Sequence, residues 1–253
     1  MTSRERPVAC VTGSASGLAW RVARDLALED GYDVVLNYVH HAEKAEQLAA
    51  TVRERGGRAL VVQADVSNPS EVDHLFDFAD AELGGVDVLV HGAGPFIFAS
   101  RPLLETTPAE WREMIDGNLS SAYYAARRVL PGMRARRGGR LIFFGYTGAL
   151  AAESAVQTTA YSAAKVGLLS LTRSLARSEA PYGVTANMIG PGVIEDGYKE
   201  KAIREARGVT APRIPVGRPG TGEDVSRVVR FLCAPDSDFL TGNVIYVSGG
   251  WHI

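Results

Sequence analysis

Tyr161-Ser-Ala-Ala-Lys165 sets a phenol and an amine four residues apart. On a helix that is about one turn, so the two side chains share a face. A free tyrosine titrates near ~10 and is a slow proton donor at neutral pH. A cation ~4 Å away, at an effective dielectric of ~20, stabilises phenolate by about 4 kcal/mol, or roughly three pKa units. Such a pair can hand a proton to a nascent alkoxide, which is general acid catalysis. The same spacing arises by chance on many helix faces, so the surrounding elements have to decide.

Those elements alternate. Short β-branched runs read as strands at 8–12, 33–37, 59–63, 87–91, 140–144, 184–188 and 244–248. Most are apolar on both faces, as in a parallel sheet covered on both sides. Helical patterns fall between them, at 42–55, 69–83, 108–136, 160–178 and 223–233, and another helix follows the first strand. Ser67 and Asn68 are candidate caps for the helix that Pro69 opens. In 108–136, Ile115, Leu119, Ala122, Ala126, Val129 and Met133 lie on one side, and Gly117 predicts a local bend. The alternation implies a single α/β domain over 1–253: a doubly wound, Rossmann-like parallel sheet with helices on both faces. The long irregular stretch at 191–223 is rich in glycine and proline. A connection of that length is more often functional than idle, and 193–220 is expected to be a lid over a site.

The bulk numbers exclude several classes. Hydrophobic residues make up 46% of the 253 and charged residues 22%, with a formal net charge of -2. That balance gives no electrostatic case for nucleic acid or a membrane surface. Arg134, Arg136, Arg137 and Arg140 read as the solvated end of a helix, where cations suit the dipole. No apolar run approaches the ~20 residues that span a bilayer, and no signal-peptide pattern opens the chain. Cys10 and Cys233 are too few and too isolated for a disulfide framework or a zinc site, so no metal is expected. A cytoplasmic protein fits.

The first strand ends in Thr12-Gly-Ser-Ala-Ser-Gly-Leu-Ala19 and runs into a helix. Gly13 permits a tight turn, and Gly17 lets backbone approach a pyrophosphate held at the helix N-terminus. Ser14, Ser16 and Leu18 complete that cradle. A plain glycine-serine turn would look much the same by itself. The ordered set is more specific: this cradle, Ala64-Asp65-Val66, His91-Gly92-Ala93-Gly94, Asn118, Tyr161-x-x-x-Lys165 and Pro191-Gly192. Over nearly the whole chain it resembles a compact short-chain dehydrogenase/reductase, and among these the 3-oxoacyl-[acyl-carrier-protein] reductase-like branch.

The resemblance implies roles. Asp65 with Val66 contacts an adenine, Gly92, Ala93 and Gly94 let a dinucleotide lie on backbone, and Pro191, Gly192 and Ile194 adjoin a nicotinamide. Tyr161 protonates a reduced carbonyl, Lys165 tunes it and holds the nicotinamide ribose, and Asn118 positions a water that resupplies the proton. His91 replaces the family's usual asparagine and reads as structural. The second strand ends Asn37-Tyr38-Val39-His40-His41, with no carboxylate before Glu43 and with Lys44 beyond. An acidic residue there would bind the ribose hydroxyls of NAD. Asn37 and His40 beside Lys44 favour NADPH/NADP over NAD, although His40, His41 and Lys44 would also suit a solvated helix entry.

Two further positions depart from the family. The serine that polarises the substrate carbonyl usually lies thirteen residues before the tyrosine, and Gly148 stands there. Thr147 is the first replacement, Tyr146 the second, and a backbone N–H or nothing the third. Asp196 holds a position where threonine is usual. Phe96, Phe98, Tyr146 and Tyr198 are candidates for an apolar substrate pocket, or equally for the core. The expected function is NADP(H)-dependent reduction of a ketone, a 3-oxoacyl thioester or similar small carbonyl, free or carrier-linked. The alternative is a dinucleotide-binding sensor or assembly subunit with little turnover. The family is commonly a homodimer or homotetramer.

Overall fold

Residues that are apolar on both faces of a strand have to be covered on both faces, and the computed structural model, which describes residues 5–96, 102–153 and 158–251, meets that demand. Seven strands form one parallel sheet: β1 (Val8–Thr12), β2 (Asp33–Tyr38), β3 (Ala59–Gln63), β4 (Val88–His91), β5 (Gly139–Phe144), β6 (Val184–Pro191) and β7 (Val244–Val247). Their order is β3-β2-β1-β4-β5-β6-β7. β6 runs three residues past its predicted end, because Gly190 and Pro191 pair with Tyr246 and Val247.

Alternate residues face opposite layers. Cys10, Val35, Leu89, Leu141 and Phe143 point to one, and meet Leu75 and Phe76 of α3 (Pro69–Leu83), Met133 of α5 (Ser121–Arg136) and Leu168 of α6 (Thr159–Glu179). Val11, Val34, Leu36, Val90 and Ile142 point to the other. There they meet Val22 and Leu26 of α1 (Gly17–Leu28), Leu48 of α2 (Glu43–Glu54) and Val225 and Val229 of α8 (Gly222–Cys233). Cys10 and Cys233 are free and buried, one in each layer.

β1 pairs with β2 on one side and β4 on the other. The connections from β1 and β4 therefore leave in opposite directions, and a crevice opens at the carboxyl ends of these strands. Two helix details shape it. The long predicted helix is two, α4 (Pro108–Ile115) and α5, joined by a π turn at Asp116–Ser120. Gly117 is needed in that turn, since a Cβ there would lie 2.4 Å from Pro95 Cδ. Asn68 caps α3 by accepting the Ser70 N–H at 3.1 Å.

The arginine cluster is more engaged than a solvated helix end. Arg134 forms a two-pronged pair with Glu179 at 2.7 and 2.8 Å, Arg136 pairs with Asp87 at 3.1 Å, and Arg140 reaches the Pro235 carbonyl at 3.1 Å. These contacts tie α5, α6 and the last helical turns to the amino edge of the sheet.

The 193–220 stretch holds a 3₁₀ turn at Asp196–Tyr198 and a single helical turn, α7 (Ile203–Ala206). Its far end is anchored by the cap of α8. Thr221 accepts the Asp224 N–H at 3.3 Å and donates its hydroxyl to Asp224 at 2.9 Å, and Arg218 grips the same carboxylate at 2.7 and 2.8 Å. Thr221→Ala is expected to lower stability by about 1–2 kcal/mol. In urea unfolding, the midpoint should fall while the slope stays unchanged.

Candidate active site

The glycine loop lies against the end of β4. Gly13 has φ +67°, and a Cβ on it would stand 3.0 Å from Ala93 Cα. Gly92 is needed for the same reason, since its Cβ would be 2.8 Å from that of Ala19. Ala93 and Gly94 carry this small-residue wall outward, and Gly17 opens α1 with φ +68°. A flat dinucleotide needs such a crevice of exposed backbone. Gly192 continues it at the end of β6, where a Cβ would lie 2.8 Å from Ser248 Cα. Ile194 packs in the second core layer and Leu18 lies at its margin.

Asn37 and Ser14, both expected at the cofactor, also support the loop. Asn37 is buried; its Oδ1 accepts the Gly13 N–H at 3.1 Å and its Nδ2 donates to the Ala64 carbonyl at 2.9 Å. Ser14, also buried, exchanges bonds with the Asn37 backbone. An amide at this position is spent on holding three loops together. Asp65 is exposed and caps the following turn, accepting Ser67 N–H at 2.9 Å and its hydroxyl at 2.7 Å; Val66 is core. Ser16 and His40 are exposed, and Asp196 is paired with Lys199 at 2.6 Å.

Tyr161 and Lys165 project from the first turns of α6. The Tyr161 ring lies between Phe96, edge-on at 4.8 Å, and Tyr146 at 5.9 Å. Phe98 lies outside the described residues. Lys165 is buried and donates to the Phe144 carbonyl at 2.7 Å, with Nζ 5.6 Å from the Tyr161 ring centroid. The expected acidification of the phenol is not what the protein's own groups produce. Burial, with Tyr146 adding to it, pushes Tyr161 up to about 12, and burial brings Lys165 down to about 7. Low-dielectric surroundings disfavour phenolate and ammonium alike.

Asn118 sits in the π turn and is fully buried. Its Nδ2 donates to the carbonyls of Pro95 at 2.9 Å and Met114 at 3.0 Å. Its Oδ1 has no hydrogen-bond partner among the described residues. That oxygen lies 2.4 Å, and Lys165 Nζ 3.4 Å, from where a Gly94 Cβ would be. Two polar atoms thus converge on the glycine edge of the crevice, and a side chain at Gly94 would destroy the arrangement.

His91 is a buried structural ring. Thr12 takes the Ala93 N–H at 3.2 Å and Ser121 gives its proton to the Gly117 carbonyl at 2.7 Å. His91 therefore accepts from Thr12 at Nδ1 (3.1 Å) and donates from Nε2 to Ser121 (3.0 Å). Burial first, and then Lys165, lower its pKa to about 3, so the ring stays neutral. It bolts the π turn to β4. Thr147 is buried beyond β5, its N–H on the Pro191 carbonyl at 3.4 Å; the Tyr146 hydroxyl donates to the Glu153 carbonyl. The residues missed from sequence are the carbonyl of Phe144, the carbonyl of Pro95 and Glu200. The two carbonyls carry no side-chain signal at all.

A family model described as enoyl-(acyl carrier protein) reductase matches residues 13–252. The chain belongs to the short-chain dehydrogenase/reductase family. YtkK of Bacillus subtilis (strain 168) is 38% identical over 246 residues, 97% of this chain and 96% of its own. The 3-oxoacyl-[acyl-carrier-protein] reductase FabG of Staphylococcus epidermidis is 31% identical over 245 residues, covering 97% and 98%. The crystal structure of a blue fluorescent protein from a metagenomic library, in complex with NADPH, superimposes with a TM-score of 0.85 at 33% identity, covering 98% of both chains. Membership makes the chain an NAD(P)-dependent oxidoreductase, and the glycine-walled crevice of this short-chain dehydrogenase/reductase fits that cofactor.

Burial of Lys165 couples stability to pH. Unfolded, the lysine holds its proton to about 10.5; folded, only to about 7. Between those values the unfolded chain binds more protons, so this group's contribution to stability rises with pH. Lys165→Met is expected to stabilise the protein by a few kcal/mol at pH 6, with the difference fading as pH approaches 10. Paired urea titrations of the variant and the parent at both pH values measure it.

Proposed function

We propose that this chain reduces a small ketone, a 3-oxoacyl thioester or a similar carbonyl, to an alcohol, and that it uses NADPH in preference to NADH. The reading rests above all on Lys165 Nζ and Asn118 Oδ1 converging beside the Gly94 edge, with the Tyr161 ring centroid 5.6 Å from that Nζ. Bound NADPH supplies the hydride. Tyr161 gives its proton to the carbonyl oxygen as charge develops there. Lys165 holds the nicotinamide ribose and returns a proton toward Tyr161. Asn118 Oδ1, which has no hydrogen-bond partner among the described residues, accepts from the water that refills the path.

Thr147 hydrogen-bonds the substrate carbonyl, and Tyr146 is the second candidate because its ring stands next to Tyr161. Gly13, Gly17, Gly92, Ala93, Gly94, Pro191 and Gly192 line the dinucleotide, Asp65 meets the adenine and Ile194 backs the nicotinamide. Lys44, with His40, receives the 2′-phosphate. No carboxylate stands between β2 and Glu43 to take ribose hydroxyls instead. The FabG relative supports the 3-oxoacyl substrate class, and the NADPH-bound relative supports the cofactor. Residues 193–220 close over the substrate, and a cytoplasmic setting completes the reading.

NADPH oxidation with 3-oxoacyl thioesters is the direct assay. Tyr161→Phe is expected to lose about 10²–10⁴-fold in kcat. Thr147→Val should lose about 10²–10³-fold while Tyr146→Phe keeps most activity; the reverse order moves the carbonyl donor to Tyr146. NADPH binding with no turnover on any carbonyl, and no response to Tyr161→Phe, would instead favour the sensor reading.

The assembly is proposed to be a dimer or tetramer. Leu104 is 96% exposed, and Trp111 on α4, Tyr123 on α5 and all four residues of β7 are partly exposed. Light scattering in solution should give two or four times the 27.1 kDa chain mass; a monomer at micromolar concentration would refute it.

A further inference from the structure

The N–H that opens α1 already has an anionic partner. Glu200, in the stretch after β6, accepts the Gly17 N–H on Oε1 at 2.9 Å, although 183 residues separate them. Both of its oxygens also accept from Lys44 Nζ, each at 2.8 Å. Burial works against the charge on Glu200, but Lys44 and the Gly17 N–H hold the carboxyl below its usual range. The first free N–H of α1 is where a dinucleotide pyrophosphate meets the helix. Lys44 is the cation proposed to receive the ribose 2′-phosphate. One carboxylate therefore engages both groups that phosphates would use.

The backbone around it is strapped down independently. The Glu200 carbonyl accepts from Arg21 at 3.3 Å, the Lys201 carbonyl accepts the Glu223 N–H at 3.2 Å, and the Ile203 N–H donates to the Glu223 carboxylate at 2.6 Å. Segment 200–203 is thereby fastened to the amino ends of α1 and α8, and the Glu200 side chain is delivered to the glycine loop without needing the loop to hold it.

We propose that Glu200 is an affinity-determining residue: a lid-borne carboxylate that competes with the phosphates of the dinucleotide for the Gly17 N–H and for Lys44. Two anions do not share one N–H donor, so binding exchanges carboxylate for phosphate. The pyrophosphate is common to NADPH and NADH, so displacing Glu200 from Gly17 burdens both. Only NADPH brings a phosphate that replaces the carboxylate on Lys44. Glu200 thus sets how tightly any dinucleotide binds, and Lys44 sets the preference between the two.

Titration calorimetry of NADPH and NADH into the full chain tests this with the parent, Glu200→Gln, Lys44→Met and the double variant. Glu200→Gln is expected to tighten both nucleotides by about tenfold, the loss of one competing charge-assisted contact. The gain should shrink in the Lys44→Met background, because half of the carboxylate's anchorage is already gone. Weaker or unchanged binding in Glu200→Gln, a gain confined to NADPH, or an undiminished gain without Lys44 would each overturn the proposal. Thermal unfolding without nucleotide confirms that the variants fold. The inference rests on the dinucleotide reading of the crevice. If neither the parent nor a variant binds either nucleotide, both fail; if the parent and Glu200→Gln bind equally, only the role of Glu200 falls.

Discussion

In an all-parallel sheet every strand ends on the same edge, and that constraint governs the rest of this molecule. The carboxyl ends of β1, β4, β5 and β6 deliver the glycine loop, the Gly92–Gly94 wall, the Tyr146–Thr147 turn and Pro191–Gly192 to one rim. Helices returning over both faces leave a gap only where β1 and β4 send their connections apart. Small residues keep the gap open. At Gly13, Gly92 and Gly94 an added Cβ would reach a neighbouring wall within 3.0 Å.

Burying charge beside that gap carries a cost. The sheet and α6 withdraw Lys165 from water and give it one carbonyl as compensation. Burial then pulls the amine down and pushes the phenol up. A buried lysine that titrates near neutrality exchanges protons readily. The pair is better described as two desolvated groups waiting on charge brought by ligands than as a phenol acidified by its neighbour. Asn118 belongs to the same pattern, since its Oδ1 is a buried acceptor with no hydrogen-bond partner among the described residues. An unpaired buried acceptor costs stability, and sites that bind ligands or water are where such a cost is tolerated.

Anions are managed on the opposite wall. The N-terminus of α1 attracts negative charge through its free N–H groups, and the fold supplies Glu200 to it from a distant segment. His91 shows a related economy. A ring in place of the family's asparagine spans from Thr12 to Ser121, and so fixes the π turn that carries Asn118. The departure from the family pattern at His91 is thus met by a rebuilt hydrogen-bond chain. At Gly148 the described residues show no such replacement; Tyr146 and Thr147 are its chain neighbours.

The sequence by itself determined whatever depends on local period and on backbone freedom. The seven strands and most helices follow from runs apolar on both faces and from caps such as Asn68 and Pro69. Four-residue spacing sets Tyr161 and Lys165 on one helical face, and Gly13 and Gly17 mark the cradle because only glycine adopts their φ cheaply. Gly117 announced the interruption at Asn118, though not that it would be a π turn packed on Pro95. Tertiary structure decided which polar groups meet. Asn37 serves the loops because Gly13 and Ala64 arrive beside it, and Lys165 is directed at the Phe144 carbonyl, which no side chain advertises. Glu200 reaches Gly17 only because α8 and α1 pack side by side and carry its backbone there. Partners that are distant in the chain leave no periodic trace, and the direction of a pKa shift depends on the burial those partners create.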